Sequence, residues 1–188
     1  MSDTQKEYLK QYLIVINPSK DISSDVTNFK EKFRSKFGKA KYLDLWPHIT
    51  LSLFTAREEL EFELKEKLQS YAQQKTPFAV QIDKFNCFKK SGVIYLQPET
   101  EIITQFQREI PEILKQQIGI EEKHVLMTSQ PHLTITRSKQ KKQFQEAWDY
   151  YQNIYYHKAF VVRKMVVYRR ESNNYAPWGA CFKIALGG

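Results

Sequence analysis

Two spacings of apolar residues alternate along this chain, and the alternation itself repeats. Between residues 45 and 53 the apolar positions are Leu45, Pro47, Ile49, Leu51 and Leu53, with Trp46, His48, Thr50 and Ser52 between them. A period of two is that of a strand with one buried face. Leu60, Leu64, Leu68 and Tyr71 then recur at three or four, which predicts a helix over about 58–74, and an apolar strand follows near 78–88. The same order returns later. Leu133 and Ile135 alternate with His132, Thr134 and Thr136; Phe144, Ala147, Trp148 and Tyr151 predict a helix over about 140–153; and a strand follows near 159–168. A strand and a helix precede each unit, at 12–16 with about 23–37, and at 93–96 with about 100–118. Each half therefore reads strand, helix, strand, helix, strand, and residues 178–186 add a further strand. Turn residues at 17–19, 89–92, 97–98 and 173–177 separate the elements. Pro111 is expected to start or kink the helix it falls in, because it lacks a donor and clashes with the preceding turn.

Such an order predicts an α+β fold built by duplication, a single domain over 1–188 with approximate lobes at 10–90 and 91–188. With 41% hydrophobic residues in 188 positions the chain can fill one core. No apolar run approaches the ~20 residues that span a bilayer, and residues 1–10 are polar without a secretory apolar segment, so the expected location is the cytoplasm. Cys87 and Cys181 lie in separate strand-like segments without Cys-x-x-Cys or His-x-His spacing. They are expected to be small core residues, not a disulfide or a zinc site.

The chemistry concentrates in the two repeated strands. Pro47-His48-Ile49-Thr50 and Pro131-His132-Leu133-Thr134 lie 84 positions apart (132 − 48) and use two of the four histidines. On a strand, a histidine and a threonine two residues on face the same side, while Ile49 and Leu133 face the other. Each copy thus sets an imidazole beside a hydroxyl. Two imidazoles can divide base and acid work near neutral pH, since the ordinary histidine pKa is about 6.5; two hydroxyls between them could hold an anion. By the same alternation Ser52 and Thr136 share the histidine faces, where they would orient an imidazole or extend the anion site. A net charge of +8, from 29 basic and 21 acidic residues, favours anionic ligands, nucleic acid included. Arg137, just past the second motif, and the pair Arg169-Arg170 are candidates for bidentate phosphate contacts. His124 and His157 lack the following hydroxyl and are expected on the surface or in loops.

The paired His-x-Thr strands, with the stretches 47–54 and 131–137 around them and the closing region of Arg169, Trp178 and Phe182, resemble the 2H phosphoesterase superfamily, in its 2'-5' RNA ligase-like and cyclic phosphodiesterase branch. The resemblance extends over about 12–186. It implies a bilobal fold with pseudo-twofold symmetry, each lobe bringing one motif to a central cleft between antiparallel sheets, with helices outside. It implies no cofactor and no metal. The expected activity is metal-independent acid–base hydrolysis of a 2',3'-cyclic phosphate or a 2'-5' linkage at an RNA or nucleotide end. By the family pattern His132 would be the base and His48 the acid, the pseudo-symmetry allowing the opposite assignment as well, with Thr50 and Thr134 on the phosphate oxygens. Tyr42, Trp46 and Trp178 are candidates to stack on a base, and Ser52, Thr136, Arg137 and Arg169 to contact substrate. Two other readings stand beside this one: a non-catalytic RNA-end binding module, and the same chemistry on a small cyclic phosphate such as that of ADP-ribose. A monomer is expected.

Overall fold

The computed structural model describes residues 9–99, 101–126, 130–172 and 176–188. Its elements are β1 (Leu9–Ile16), α1 (Lys20–Phe37), β2 (Ile49–Arg57), α2 (Glu61–Gln73), β3 (Phe78–Phe88), β4 (Val93–Glu99), α3 (Glu101–Gln116), β5 (Val125–Leu126), β6 (Leu133–Arg137), α4 (Lys141–Tyr151), β7 (His157–Val162), β8 (Lys164–Glu171) and β9 (Gly179–Ala185). The predicted order is observed, with two differences. The strand expected over 159–168 is two strands that break at Arg163, and the short β5 precedes the second motif. Pro111 lies inside α3 without ending it. The helix survives the lost donor because Ile103, Phe106, Ile110, Ile113 and Leu114 form one buried stripe around the proline. Thr100 of the predicted helix, residues 173–175 of the last predicted turn and residues 1–8 of the polar start lie outside the described residues.

All strand pairs are antiparallel, in the order β7-β3-β4-β6-β2-β1-β8-β9, with β5 against β2. The two motif strands meet in the middle, through the single pair Ile49↔Leu133. Counting outward from that pair matches β2 with β6, β1 with β4, β8 with β3 and β9 with β7, a pseudo-twofold arrangement. The lobes accordingly do not follow the sequence halves 10–90 and 91–188. Strand β3, from the first half, pairs with β4 and β7, while β8 and β9, from the second, lie beside β1. Which partner each strand finds is not encoded in the spacing of elements along the chain.

Helices cover one face of the sheet. Ile22, Val26 and Phe33 of α1, Leu64, Leu68 and Ala72 of α2, and Phe144, Ala147 and Tyr151 of α4 join the α3 stripe in one core. Rings lock it at both wings: Phe29 sits edge-on to Phe85 at 4.9 Å, and Tyr12 stacks on Phe54 at 5.2 Å. The opposite face holds a small cluster of Leu13, Val15 and Val166, flanked by Trp46, Leu53, Tyr168 and Trp178. Both cysteines are free and half-buried. Among the described residues no helix is long and apolar enough to cross a membrane.

Candidate active site

The four motif residues share the open face of the sheet at its centre. Ile49 and Leu133 are paired and fully buried towards the helices, so their neighbours along each strand point the other way. Extending that antiparallel register by one residue sets Thr134 across from His48 and Thr50 across from His132. Each imidazole therefore faces the hydroxyl of the other motif as well as its own.

Both rings are held the same way. The Nδ1 of His48 lies 2.9 Å from the carbonyl oxygen of Trp46, and the Nδ1 of His132 lies 2.9 Å from that of Gln130. A carbonyl can only accept, so Nδ1 carries the hydrogen in each ring and Nε2 is the atom left for chemistry. Aromatic walls fix the ring planes. Trp46 lies 4.8 Å from His48 and equally close to Tyr168 on its far side. Phe88 and Tyr95 stand edge-on to His132 at 5.2 and 5.6 Å. Enclosure disfavours the charged imidazole, and burial lowers both histidines below their ordinary value. His48 falls to about 4: burial is the largest cause, and the charges of Lys30 and His132 add to it against the Trp46 carbonyl.

Lys30 was not among the residues singled out from the sequence. It projects from α1, is 3% exposed, and its ammonium donates to the carbonyl oxygens of Tyr42, at 2.9 Å, and of Leu45. Burial lowers it to about 8, against the pull of Asp44. These two bonds hold the segment that leads into His48, where Tyr42 turns through a positive φ of 71°.

Other sequence candidates divide by face. Each motif strand carries one extra residue: Ile14 pairs with Ser52 but Val15 with Thr50, and Ile94 pairs with Thr136 but Tyr95 with Thr134. Leu51 and Ile135 are the bulged positions, and past them the alternation is inverted. Ser52 and Thr136 therefore do not share the histidine faces, which corrects the expectation from spacing. Both are fully buried on the helix side; the Thr136 hydroxyl donates to the Lys41 carbonyl, and the Ser52 hydroxyl has no partner among the described residues. Arg169 is also on the helix side, opposite Tyr12, and is tied to Glu58 and Glu61. Its guanidinium is ion-paired there, on the face away from the two histidines, which corrects its expected place beside them. Its neighbour Arg170 is the one on the open face, 4.4 Å over the Trp178 ring and donating to Gln11. Arg137 remains on the open face, its Nε donating to the Ser91 carbonyl at 3.1 Å. Trp46 and Trp178 flank the open-face cluster. Tyr42 is 40% exposed, and its carbonyl accepts from Lys30. His124 bonds Thr55 at 2.8 Å, and His157 opens β7.

An antiparallel α+β sheet with its two halves related by a pseudo-twofold at its centre is the architecture of the 2H phosphoesterases. The chain belongs to the 2'-5' RNA ligase superfamily, whose family model matches residues 19–174. Among solved structures it is similar to Escherichia coli LigT in its apo form, with a TM-score of 0.67 at 16% identity over 96% of this chain and 99% of that one. LigT complexed with 3'-AMP gives 0.65 at 14% identity, covering 96% and 99%. The Thermus thermophilus protein TT0787 gives 0.66 at 17% identity, covering 95% and 98%. No curated protein matches the chain.

Proposed function

We propose that His48 and His132 are the acid–base pair of a phosphoesterase that opens a 2',3'-cyclic phosphate, or cleaves a 2'-5' linkage, at the end of an RNA or a nucleotide. The observation that supports it most is the central register, which sets two imidazoles with free Nε2 atoms among two hydroxyls on one open face. One Nε2 takes a proton from water as the water oxygen bonds to phosphorus. The bond from phosphorus to a ribose oxygen breaks, and the other Nε2–H gives that oxygen its proton. For a 2',3'-cyclic phosphate the product is the 2'-phosphate when the 3' oxygen leaves. Thr50 and Thr134 donate to the non-bridging oxygens as their charge grows. Each proton-transfer group is worth ~10²–10⁴-fold. The similarity of this fold to LigT structures complexed with 3'-AMP and with NADP+ supports a nucleotide-bearing ligand and keeps a small cyclic phosphate as the second reading.

The family resemblance gives His132 the base role and His48 the acid role. In the free site the depressed pKa of His48 favours its neutral form, and a phosphate anion between the rings offsets that bias. A diester with a nitrophenolate leaving group separates the roles, because such a leaving group needs no proton: removing the acid costs little there and removing the base still costs nearly everything.

The deciding experiment is hydrolysis of a nucleoside 2',3'-cyclic phosphate in the presence of a chelator, with identification of the monophosphate formed. His48→Ala and His132→Ala are each expected to remove nearly all turnover, the double variant little more, and folding to survive in all three. Thr50→Ala and Thr134→Ala cost less. Full turnover in either histidine variant, or loss of activity to the chelator, rejects the mechanism.

A further inference from the structure

The pseudo-twofold does not extend to charge. Strands β2 and β6 run in opposite directions, so the open face has two ends. The starts of β2 and β6 meet at the centre, through Ile49 and Leu133; at one end of the face lies the end of β6 beside the segment before β2, and at the other lies the end of β2 beside β5. Three connections converge on the first end. The segment before β2 reaches β6 through a two-way backbone bridge, Lys41 N–H to Arg137 O at 3.1 Å and Arg137 N–H to Lys41 O at 3.0 Å. The β3–β4 turn joins them through Ser138 N–H to Gly92 O at 2.9 Å and through the Arg137 side chain on Ser91. Gln143 donates to the Lys39 carbonyl as well.

Gly92 makes the convergence possible. Its φ is +70°, and a Cβ there would lie 1.9 Å from the Ser138 carbonyl oxygen. The turn is seated hard against the end of β6, in a conformation that only glycine adopts without strain.

These three connections carry Lys39, Lys41, Lys89, Lys90, Arg137 and Lys139, and no acidic residue falls within 39–42, 89–92 or 137–139. All five lysines are exposed. Lys41 shares the open face with Arg137, its bridge partner. The nearest acidic group along the chain, Asp44, is engaged by Arg34. At the opposite end the signs are mixed: Glu99 and Glu101 border the groove beside Gln130 and Pro131, while Arg170 stands beside Gln11, level with Thr55 towards the end of β2.

We propose that the basic end is a binding site for the sugar–phosphate backbone of single-stranded RNA, which runs from the reacting phosphate, held between His48 and His132 at the sheet centre, out over the end of β6. This reading rests on the phosphoesterase assignment for which phosphate reacts. It names the substrate as a polynucleotide and gives it a direction, since the opposite end offers a backbone both signs of charge. Backbone phosphates recur at the pitch of the chain, and exposed lysines on closely tied connections neutralise several of them with release of counterions.

The test uses the full chain and the variant Lys89→Glu/Lys90→Glu/Lys139→Glu. The binding probe is a labelled RNA of about eight nucleotides ending in a 2'-phosphate, and its affinity is measured from 50 to 200 mM salt. Each phosphate contact adds about −0.7 to the slope of log affinity against log salt for a single strand. Loss of three contacts flattens the slope by about 2, so the affinity ratio across this fourfold salt range shrinks by more than about tenfold. The ratio of kcat/KM for the oligonucleotide cyclic phosphate to that for the mononucleotide falls in the same variant. An unchanged salt slope, or equal losses on both substrates, overturns the proposal. The binding arm reads the surface even if neither cyclic phosphate is turned over, which would count against the phosphoesterase reading alone.

Discussion

Lys30 occupies a place where α1 otherwise buries apolar side chains: Ile22, Val26, Lys30 and Phe33 form its inward stripe. A buried ammonium is costly, and here two carbonyls satisfy it while its charge opposes protonation of His48. Lys30→Met keeps most of the apolar stem and removes the charge. The His48 pKa then rises from about 4 by the share that Lys30 adds, while burial, the larger cause, still holds it below its ordinary value, so the limb of the kcat/KM profile belonging to His48 moves to higher pH. Lys30→Arg leaves the limb in place. A substitution that only loosened the segment would lower the whole profile without moving it, and pH profiles of the two variants distinguish these outcomes. This lysine was legible in the sequence, at spacings of four and three within an apolar stripe; a search for histidine partners along strands passes over it. Arg169 and Arg170 show the reverse difficulty. Adjacent strand residues face opposite sides, and only the buried positions of Met165 and Val167 tell which arginine is on the open face.

At the scale of elements, the bulges at Leu51 and Ile135 limit what each motif presents on the open face to His-x-Thr. Two residues past the threonine the strand has already turned its side chains inward, so each motif is three residues long by geometry. Thr50→Ala is expected to lower kcat, whereas Ser52→Ala leaves kcat/KM unchanged and the stability equal or greater, because it removes a buried hydroxyl that has no partner. Turnover and denaturant unfolding of the two variants, compared side by side, check this. The strands and helices were readable because their periods are distinct, and the boundaries of β3 over 78–88 match the expectation. The bulges were not. Leu53 and Phe54 are both apolar, so the continuation of β2 fits either register, and only pairing with Leu13 and Tyr12 selects Phe54 for the core. On β6 the polar Thr136 simply extended the alternation.

At the scale of the molecule, the duplication visible in the sequence is crossed in space, with β3 and β8 each delivered to the wing that the other half begins. Fragments 1–90 and 91–188 are each expected to stay unfolded alone, since each wing would lack a strand, and to regain helix and strand signal when mixed. Circular dichroism of the separate and combined fragments tests this; an independently folded fragment would show that a wing completes itself. The crossing also bears on descent. A half-length ancestor with this connectivity would have had no finished sheet until two copies traded strands, and its histidines would have met across the axis relating them. Partnership between identical chains would then be older than the single polypeptide, and the gene fusion would have made permanent a pairing on which catalysis already depended.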